Sequence, residues 1–355
     1  MIYVCNVPGL KKWDEPEQIQ NILQDLEKYR MRIVGLELCH NSIGEKCAKA
    51  LGEKMKNLKY LRQVNLSDCF VSRGEEELPK SLKYLLDAII DKNIIELNLN
   101  DNALGPKAAP GYNLFFEKNK TLEKLYLDDC GMGPEGTPKL IEILKNNKDI
   151  PLKVLKISRN RIGNEGCIAI SELVKEKRNL KEIKISDNEI EYEGLQSFLD
   201  SIKDNKNLTW VDIQNNTISS EAKTLPEIIG TLENVYSLNL SDLTIGDEEI
   251  IKRIFEILPK LNKLREFYFE YNISDLEFGK NKNKYISELL EFLLQVNNLK
   301  EVHLENNDIS NDLYNKYLPQ FKKKGLYLFS CFSEEEEMDD NMGDDIDQSD
   351  LNKNK

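Results

Sequence analysis

Apolar residues recur along this chain in a single frame, apolar-x-apolar-x-x-(Asn or Cys)-x-apolar, which can be laid down ten times between residues 36 and 309. The copies are Leu36 to Ile43, Val64 to Val71, Leu97 to Leu104, Leu125 to Met132, Leu155 to Ile162, Ile183 to Ile190, Val211 to Ile218, Leu238 to Ile245, Phe267 to Ser274 and Val302 to Ile309. The alternation that opens each copy has the period of two expected of a short strand. Between copies the apolar spacing becomes helical, as at Ala48, Leu51 and Met55 or at Leu82, Leu85, Leu86 and Ile89. Each unit is therefore predicted to be one strand, one turn and one helix.

The turn column reads Asn41, Cys69, Asn102, Cys130, Asn160, Asn188, Asn216, Leu243, Asn272 and Asn307, with spacings of 28, 33, 28, 30, 28, 28, 27, 29 and 35 residues. This is the leucine-rich repeat at its longer period. Asn or Cys in such a turn can hydrogen-bond backbone groups that would otherwise be buried without partners. Stacking the units buries one continuous core, so the fold class is α/β: a curved leucine-rich-repeat solenoid, parallel strands on its concave face and helices on its convex face. A single domain over residues 1–332 is expected, with a cap at each end because terminal rungs would otherwise expose core. Pro16 and the helix-like stretch Glu17 to Tyr29 supply the first cap, and the strand-like stretch Gly325 to Phe332 the second. Two spacings are long. The ninth carries the polar, basic run Gly279 to Lys284, expected as a solvated loop, whereas the second carries inserted residues around Arg73, a loop from Phe70 to Pro79 beside the concave edge.

Charge sharpens this picture. Of the formal net charge of −13, residues 333–355 supply −8 through ten acids against two lysines. That segment has too little apolar content to fold alone and is expected to be a disordered acidic tail. An acidic chain is a poor ligand for nucleic acid, where lysine and arginine must displace counterions; a basic protein partner fits better. There is no apolar run long enough to span a membrane. Seven cysteines stand singly at 5, 39, 47, 69, 130, 167 and 331, a pattern that suggests neither a disulfide framework nor a zinc site, and a reducing, intracellular setting is expected.

Candidate catalytic chemistry is sparse. Only His40 and His303 exist, in the first and last copies, so no paired nucleophile and base can be built around them. The run Gly131-Met132-Gly133-Pro134-Glu135-Gly136 matches a dinucleotide-binding signature letter for letter, but Gly105 and Gly163 recur at equivalent turns, where a tight bend alone demands glycine. No cofactor and no metal is expected. Cys69 and Cys130 read as buried structural thiols. The residues before the turn column form a row, His40, Asp68, Asp101, Asp129, Arg159, Asp187, Asn215, Asp242, Tyr271 and Asn306, which reads either as a solvated edge or as a partner-binding rim.

Residues Leu66 to Arg73, followed by Glu77-Leu78-Pro79, resemble the arginine-bearing segment of the Ran GTPase-activating proteins, and the likeness continues through Leu99 to Pro106, Leu127 to Gly133 and Arg159-Asn160-Arg161. The resemblance implies a regulator that binds the GTP form of the small GTPase Ran, with or without a Ran-binding protein, and stimulates hydrolysis that Ran itself carries out, in support of nucleocytoplasmic transport. It implies a monomer that is not itself an enzyme. It assigns the catalytic support to Arg73 and Asp129, and partner contacts to Asp68, Phe70, Asp101, Asn102, Arg159, Asn160, Arg161 and Asp187. The family arginine stays outside the phosphate site and supports Ran's glutamine indirectly. Two positions depart from the family: Val71-Ser72 stands for a Thr-Gly pair, and Asp129 for an asparagine, so that an amide able to donate and accept becomes a carboxylate that only accepts. The alternative function is a non-catalytic leucine-rich-repeat adaptor.

Overall fold

The computed structural model describes residues 1–5, 11–274 and 281–329. Strands run β1 Ile2–Val4, β2 Lys11–Trp13, β3 Gly35–Glu37, β4 Asn41–Ile43, β5 Gln63–Asn65, β6 Glu96–Asn98, β7 Lys124–Tyr126, β8 Val154–Lys156, β9 Glu182–Lys184, β10 Trp210–Asp212, β11 Ser237–Asn239, β12 Glu266–Tyr268, β13 Glu301–His303 and β14 Tyr327–Phe329. Helices are α1 Gln20–Lys28, α2 Glu45–Met55, α3 Glu77–Asp87, α4 Ala109–Lys118, α5 Gly133–Asn146, α6 Gly163–Glu176, α7 Tyr192–Ile202, α8 Leu225–Gly230, α9 Glu248–Ile257, α10 Lys282–Gln295 and α11 Asn311–Lys324.

Twelve strands form one parallel sheet in the order β1, β3, then β5 through β14, while β2 and β4 pair separately. Register is uniform: the first apolar residue of each copy stands opposite that of the next, Leu36 beside Val64, Val64 beside Leu97, and so on to Phe267 beside Val302. Strands lie about 4.8 Å apart, whereas packed helices need about 8–10 Å. A stack with one strand and one helix per rung must therefore bend with its sheet inside. The sheet is the concave wall, and leucine, isoleucine and phenylalanine from both layers fill the space between.

All ten predicted strands are present, and β1 and β14 extend the sheet by one rung at each end. Three boundaries differ from the sequence reading. Leu78 and Pro79 belong to the first turn of α3, where a proline loses no hydrogen bond, so the inserted loop around Arg73 is shorter than expected. In the ninth insertion α10 already begins at Lys282. Strand β2 and its pairing with β4 were not anticipated, because Lys11-Lys12-Trp13 carries no alternation. Gly279, Lys280, Cys331 and the acidic residues 333–355 lie outside the described residues.

The turn column explains how the rungs are joined. The Asn188 amide is buried; its Oδ1 accepts from the Asn160 N–H at 2.8 Å, and its Nδ2 donates to the Ile157 and Ile185 carbonyls at 2.9 and 3.0 Å. Asn102, Asn160, Asn216, Asn272 and Asn307 repeat this across their own rungs. Cys69 and Cys130 substitute more weakly, each donating its thiol at 3.1 Å to a carbonyl of the rung before, Leu38 and Leu99 respectively, and burial pushes both thiols up.

The row before that column has an equally physical origin. Every one of its ten residues has a positive φ, from 50° at Asn215 to 61° at His40. Asp and Asn tolerate this left-handed conformation better than other non-glycine residues, so seven of the ten positions carry them for reasons of backbone geometry. Within the glycine run at the start of α5, Gly131 and Gly133 have φ of 61° and 63°, and a Cβ on Gly136 would lie 3.2 Å from the Pro106 backbone. Turn geometry and close packing account for all three.

Two predictions follow from the ladder and the sheet face. Asn188→Ala leaves buried backbone groups of its own rung and of the rung before without partners and should cost about 3 kcal/mol, read by urea denaturation, since each orphaned group costs about 1–3 kcal/mol. Asp212, buried on β10, is pushed up to about 6 from an ordinary 3.8, chiefly by burial, against a hydrogen bond from the Gln214 N–H and the charge of Lys184. The folded state thus holds its proton more tightly than the unfolded chain, so this group's burial weakens the fold as pH rises from about 4 to 6. Asp212→Asn should raise stability at pH 7 by at most about 3 kcal/mol, at about 1.4 kcal/mol per tenfold change in acidity, and the gain should shrink as pH falls below 6. A gain independent of pH would rule this out.

Candidate functional site

The rim inherits its rigidity from the backbone beneath it. The N–H groups of Asp68, Asp101, Asp129, Arg159 and Asp187 each donate to a carbonyl of the next rung, at 2.8 to 3.1 Å. Their side chains are thereby held at fixed intervals along one edge. His40 Nδ1 lies 3.1 Å from Asp68 Oδ2, and Asn215 donates to Asp187 at 2.8 Å. At the centre, Arg159 reaches back over two rungs, its Nη2 standing 3.7 Å from Asp101 Oδ1 and its Nε 3.8 Å from Asp129 Oδ2. The arginine offsets two carboxylates that crowd each other. Burial pushes the Asp101 carboxyl up, Arg159 pulls it back, and Asp129 and Asp68 oppose that. Arg161 stands free of this group, 83% exposed and 3.6 Å from Glu189.

Three expected partner contacts are corrected. Phe70, Asn102 and Asn160 are each 1% exposed. Phe70 belongs to the core, and the two asparagines spend their amides on the ladder, so none presents a side chain to another molecule. Asp68, Asp101, Asp129, Arg159, Arg161 and Asp187 remain accessible and are brought together along the rim.

Arg73 is not among them. Read without the resemblance it is a solvated loop arginine, but its side chain is only 2% exposed. A guanidinium has five N–H donors, and here all five find acceptors. Nε donates to Ser42 Oγ at 2.9 Å, one terminal nitrogen to Asp14 and to Glu77 at 3.2 Å, and the other to the Ser42 and Trp13 carbonyls. Ser42 lies on β4 and Trp13 ends β2, so the side chain ties the N-terminal cap to the second rung. Gly44 makes the space: a Cβ there would sit 2.8 Å from the guanidinium and 3.0 Å from the Trp13 carbonyl. The hydrogen bond from Arg73 holds the Asp14 carboxyl below its usual range. Arg73 and Asp129 thus have separate sets of partners, and the loop itself, Val71 to Glu76, is what Arg73 holds in place.

Comparison with known proteins bears on this edge. A leucine-rich-repeat family profile matches residues 118–137, 149–171 and 176–199. The chain is 31% identical over 173 residues to Ran GTPase-activating protein 1 of Xenopus laevis, 31% over 166 residues to the Ran GTPase-activating protein of Drosophila melanogaster, and 28% over 165 residues to Ran GTPase-activating protein 1 of Saccharomyces cerevisiae. Over those segments the chain matches the leucine-rich-repeat profile, and it is similar to Ran GTPase-activating proteins. These matches cover 45%, 43% and 41% of this chain and 30%, 28% and 40% of the three relatives, well under two thirds of any of them. Among solved structures, an internalin from Listeria monocytogenes aligns over 90% of this chain and 94% of its own with a TM-score of 0.43 at 15% identity, too loose a likeness to bear on function.

Beside the Ran GTPase-activating resemblance stand residues that sequence reasoning passed over. The cradle of Arg73 was hidden because Trp13 and Asp14 precede the first repeat and nothing in their pattern marks a pairing with residue 73. On the concave wall, Lys156 lies 4.3 Å over the Trp210 ring and 5.8 Å from Tyr126. The signal was present, since the residues flanking each inward strand position must face the concavity.

The clamp makes a specific prediction. Arg73→Ala should lower the local opening free energy of β2 and β4 by about 1.5–3 kcal/mol, the usual loss for a hydrogen-bonded charge, while repeats far from the cap keep theirs. Amide hydrogen exchange resolves the two, and uniform protection in the variant would refute the clamp.

Proposed function

We propose that this chain is an activator of Ran, engaging its GTP form along the rim from Asp68 to Asp187 and stimulating hydrolysis that Ran's own site performs. The observation that carries this reading is the central cluster, in which Arg159 is held between Asp101 and Asp129 on a backbone that cannot drift. Such a fixed polar surface can position another protein's catalytic group, and its residues fall in the segments Leu99 to Pro106, Leu127 to Gly133 and Arg159 to Arg161 that resemble the Ran GTPase-activating proteins. Asp129 is the residue facing Ran's glutamine, accepting from its amide nitrogen. Because Asn and Asp both suit a φ of 55°, the exchange relative to the family asparagine alters hydrogen bonding and leaves the turn intact. Arg73 acts from behind, by holding the loop and cap, which agrees with an arginine outside the phosphate site. The setting is the cytoplasm, where a monomer of this kind keeps the GTP form of Ran scarce in support of nuclear transport, with or without a Ran-binding protein.

One observation favours the second reading, a non-catalytic adaptor: with all five donors of Arg73 engaged, no donor of that side chain is left for a partner. Single-turnover GTP hydrolysis by Ran separates the two. The activator reading expects acceleration on the order of 10³-fold or more, the range of other GTPase activators. Asp129→Ala should reduce it by about tenfold or more, and Asp129→Asn should restore or raise it while leaving stability within about 0.5 kcal/mol. Binding of Ran without acceleration would establish the adaptor instead.

A further inference from the structure

Far from the rim cluster, the concave wall of the last two repeats gathers a second group. The His303 ring lies flat between two others, 4.3 Å from Tyr268 at 15° and 4.4 Å from Phe329 at 8°, one on each neighbouring strand. Stacked on both faces, the imidazole cannot turn, and its nitrogens are aimed within the plane of the stack. Nδ1 is 3.4 Å from Glu305 Oε1, and Nε2 is 4.0 Å from Glu301 Oε2. Nε2 of His303 and Oε2 of Glu305 are shut off from solvent and have no hydrogen-bond partner. Glu270, from the rung before, completes the group: one ligand atom each from Glu270, His303 and Glu305 lie within 4.8 Å of one another. Burial and the charge of Glu305 push the Glu270 carboxyl up, against the pull of His303.

We propose that Glu270, His303 through Nδ1, and Glu305 bind a divalent transition cation, with Zn²⁺ the best match to one imidazole nitrogen and two carboxylate oxygens around an open fourth position. Tetrahedral ligands about 2.0–2.2 Å from zinc stand about 3.4 Å apart, so the side chains close by little more than an ångström. The ion removes the repulsion between Glu270 and Glu305. Glu301, behind Nε2, serves as the outer carboxylate that accepts the remaining ring N–H and so fixes the tautomer. Glu270 belongs to repeat nine and the other two ligands to repeat ten, so the ion cross-links the last rungs beside β14. This departs from the expectation of no metal drawn from the cysteines. Glu270 and Glu305 are 35 residues apart in sequence, and only the register of β12 against β13 joins them.

The test uses the full chain, freed of metal by chelation and titrated with Zn²⁺ by calorimetry while the two imidazoles are followed by NMR. Expected are one site, a shift of the His303 resonances with those of His40 unmoved, and a higher thermal midpoint. Glu301→Gln should weaken binding about 10- to 100-fold, as outer-carboxylate changes do, and Glu270→Gln with Glu305→Gln should abolish the His303 shift. The proposal is overturned if no zinc binds at millimolar concentration, if the double variant binds undiminished, if His303 does not respond, or if Mg²⁺ or Ca²⁺ binds as tightly as Zn²⁺.

Discussion

Everything in this molecule hangs on a turn that each rung makes in the left-handed region of backbone space, and on the amides and carbonyls that the turn buries. A chain leaving a parallel strand for a helix on the opposite layer must reverse within a few residues. Here it does so through a residue with φ between 50° and 61°, and the Asn that follows in most rungs satisfies backbone groups of its own rung and of the rung before. Because the column asparagines from Asn102 onward bond to the rung before, the ladder couples the rungs into one cooperative stack. Its repeated failure would leave unpaired polar groups in the core, which a protein of marginal stability cannot sustain.

The same turn decides what the rim looks like. Aspartate and asparagine dominate the row because they tolerate the conformation, and the acidity of the edge is in the first place a by-product of geometry. The informative positions are Arg159 and Tyr271, which the left-handed turn does not favour, and His40, which it tolerates without requiring. Two of them contact acids along the edge, His40 lying 3.1 Å from Asp68 and Arg159 pairing with Asp101 and Asp129. Exposed pairs of this length contribute little to stability, so their arrangement bears on recognition more than on folding.

The fold was legible because it is written in period and register. Alternation, the Asn or Cys column and helical spacing all pointed to the same solenoid, and the ten frames fall on ten strands. The site was legible only in part. Phe70, Asn102 and Asn160 looked like interaction residues because they lie within the segment of family resemblance, yet the core and the ladder claim them. Arg73 was given the wrong surroundings: its partners Trp13 and Asp14 are 60 and 59 residues away, in a cap without repeat pattern.

By itself, then, the sequence determined the repeat, its phase, the strand and helix of each unit and the chemistry of the turn, since these depend on residues near one another in the chain. Tertiary structure alone decided which polar residues face outward, where the guanidinium of Arg73 is spent, and that Glu270, His303 and Glu305 meet on the concave wall. Those outcomes depend on the offset between rungs and on the cap docking against them. Spacings of 33 and 35 residues in the two irregular repeats do not reveal that offset, because an insertion can lengthen a loop or a helix without moving the strand it follows.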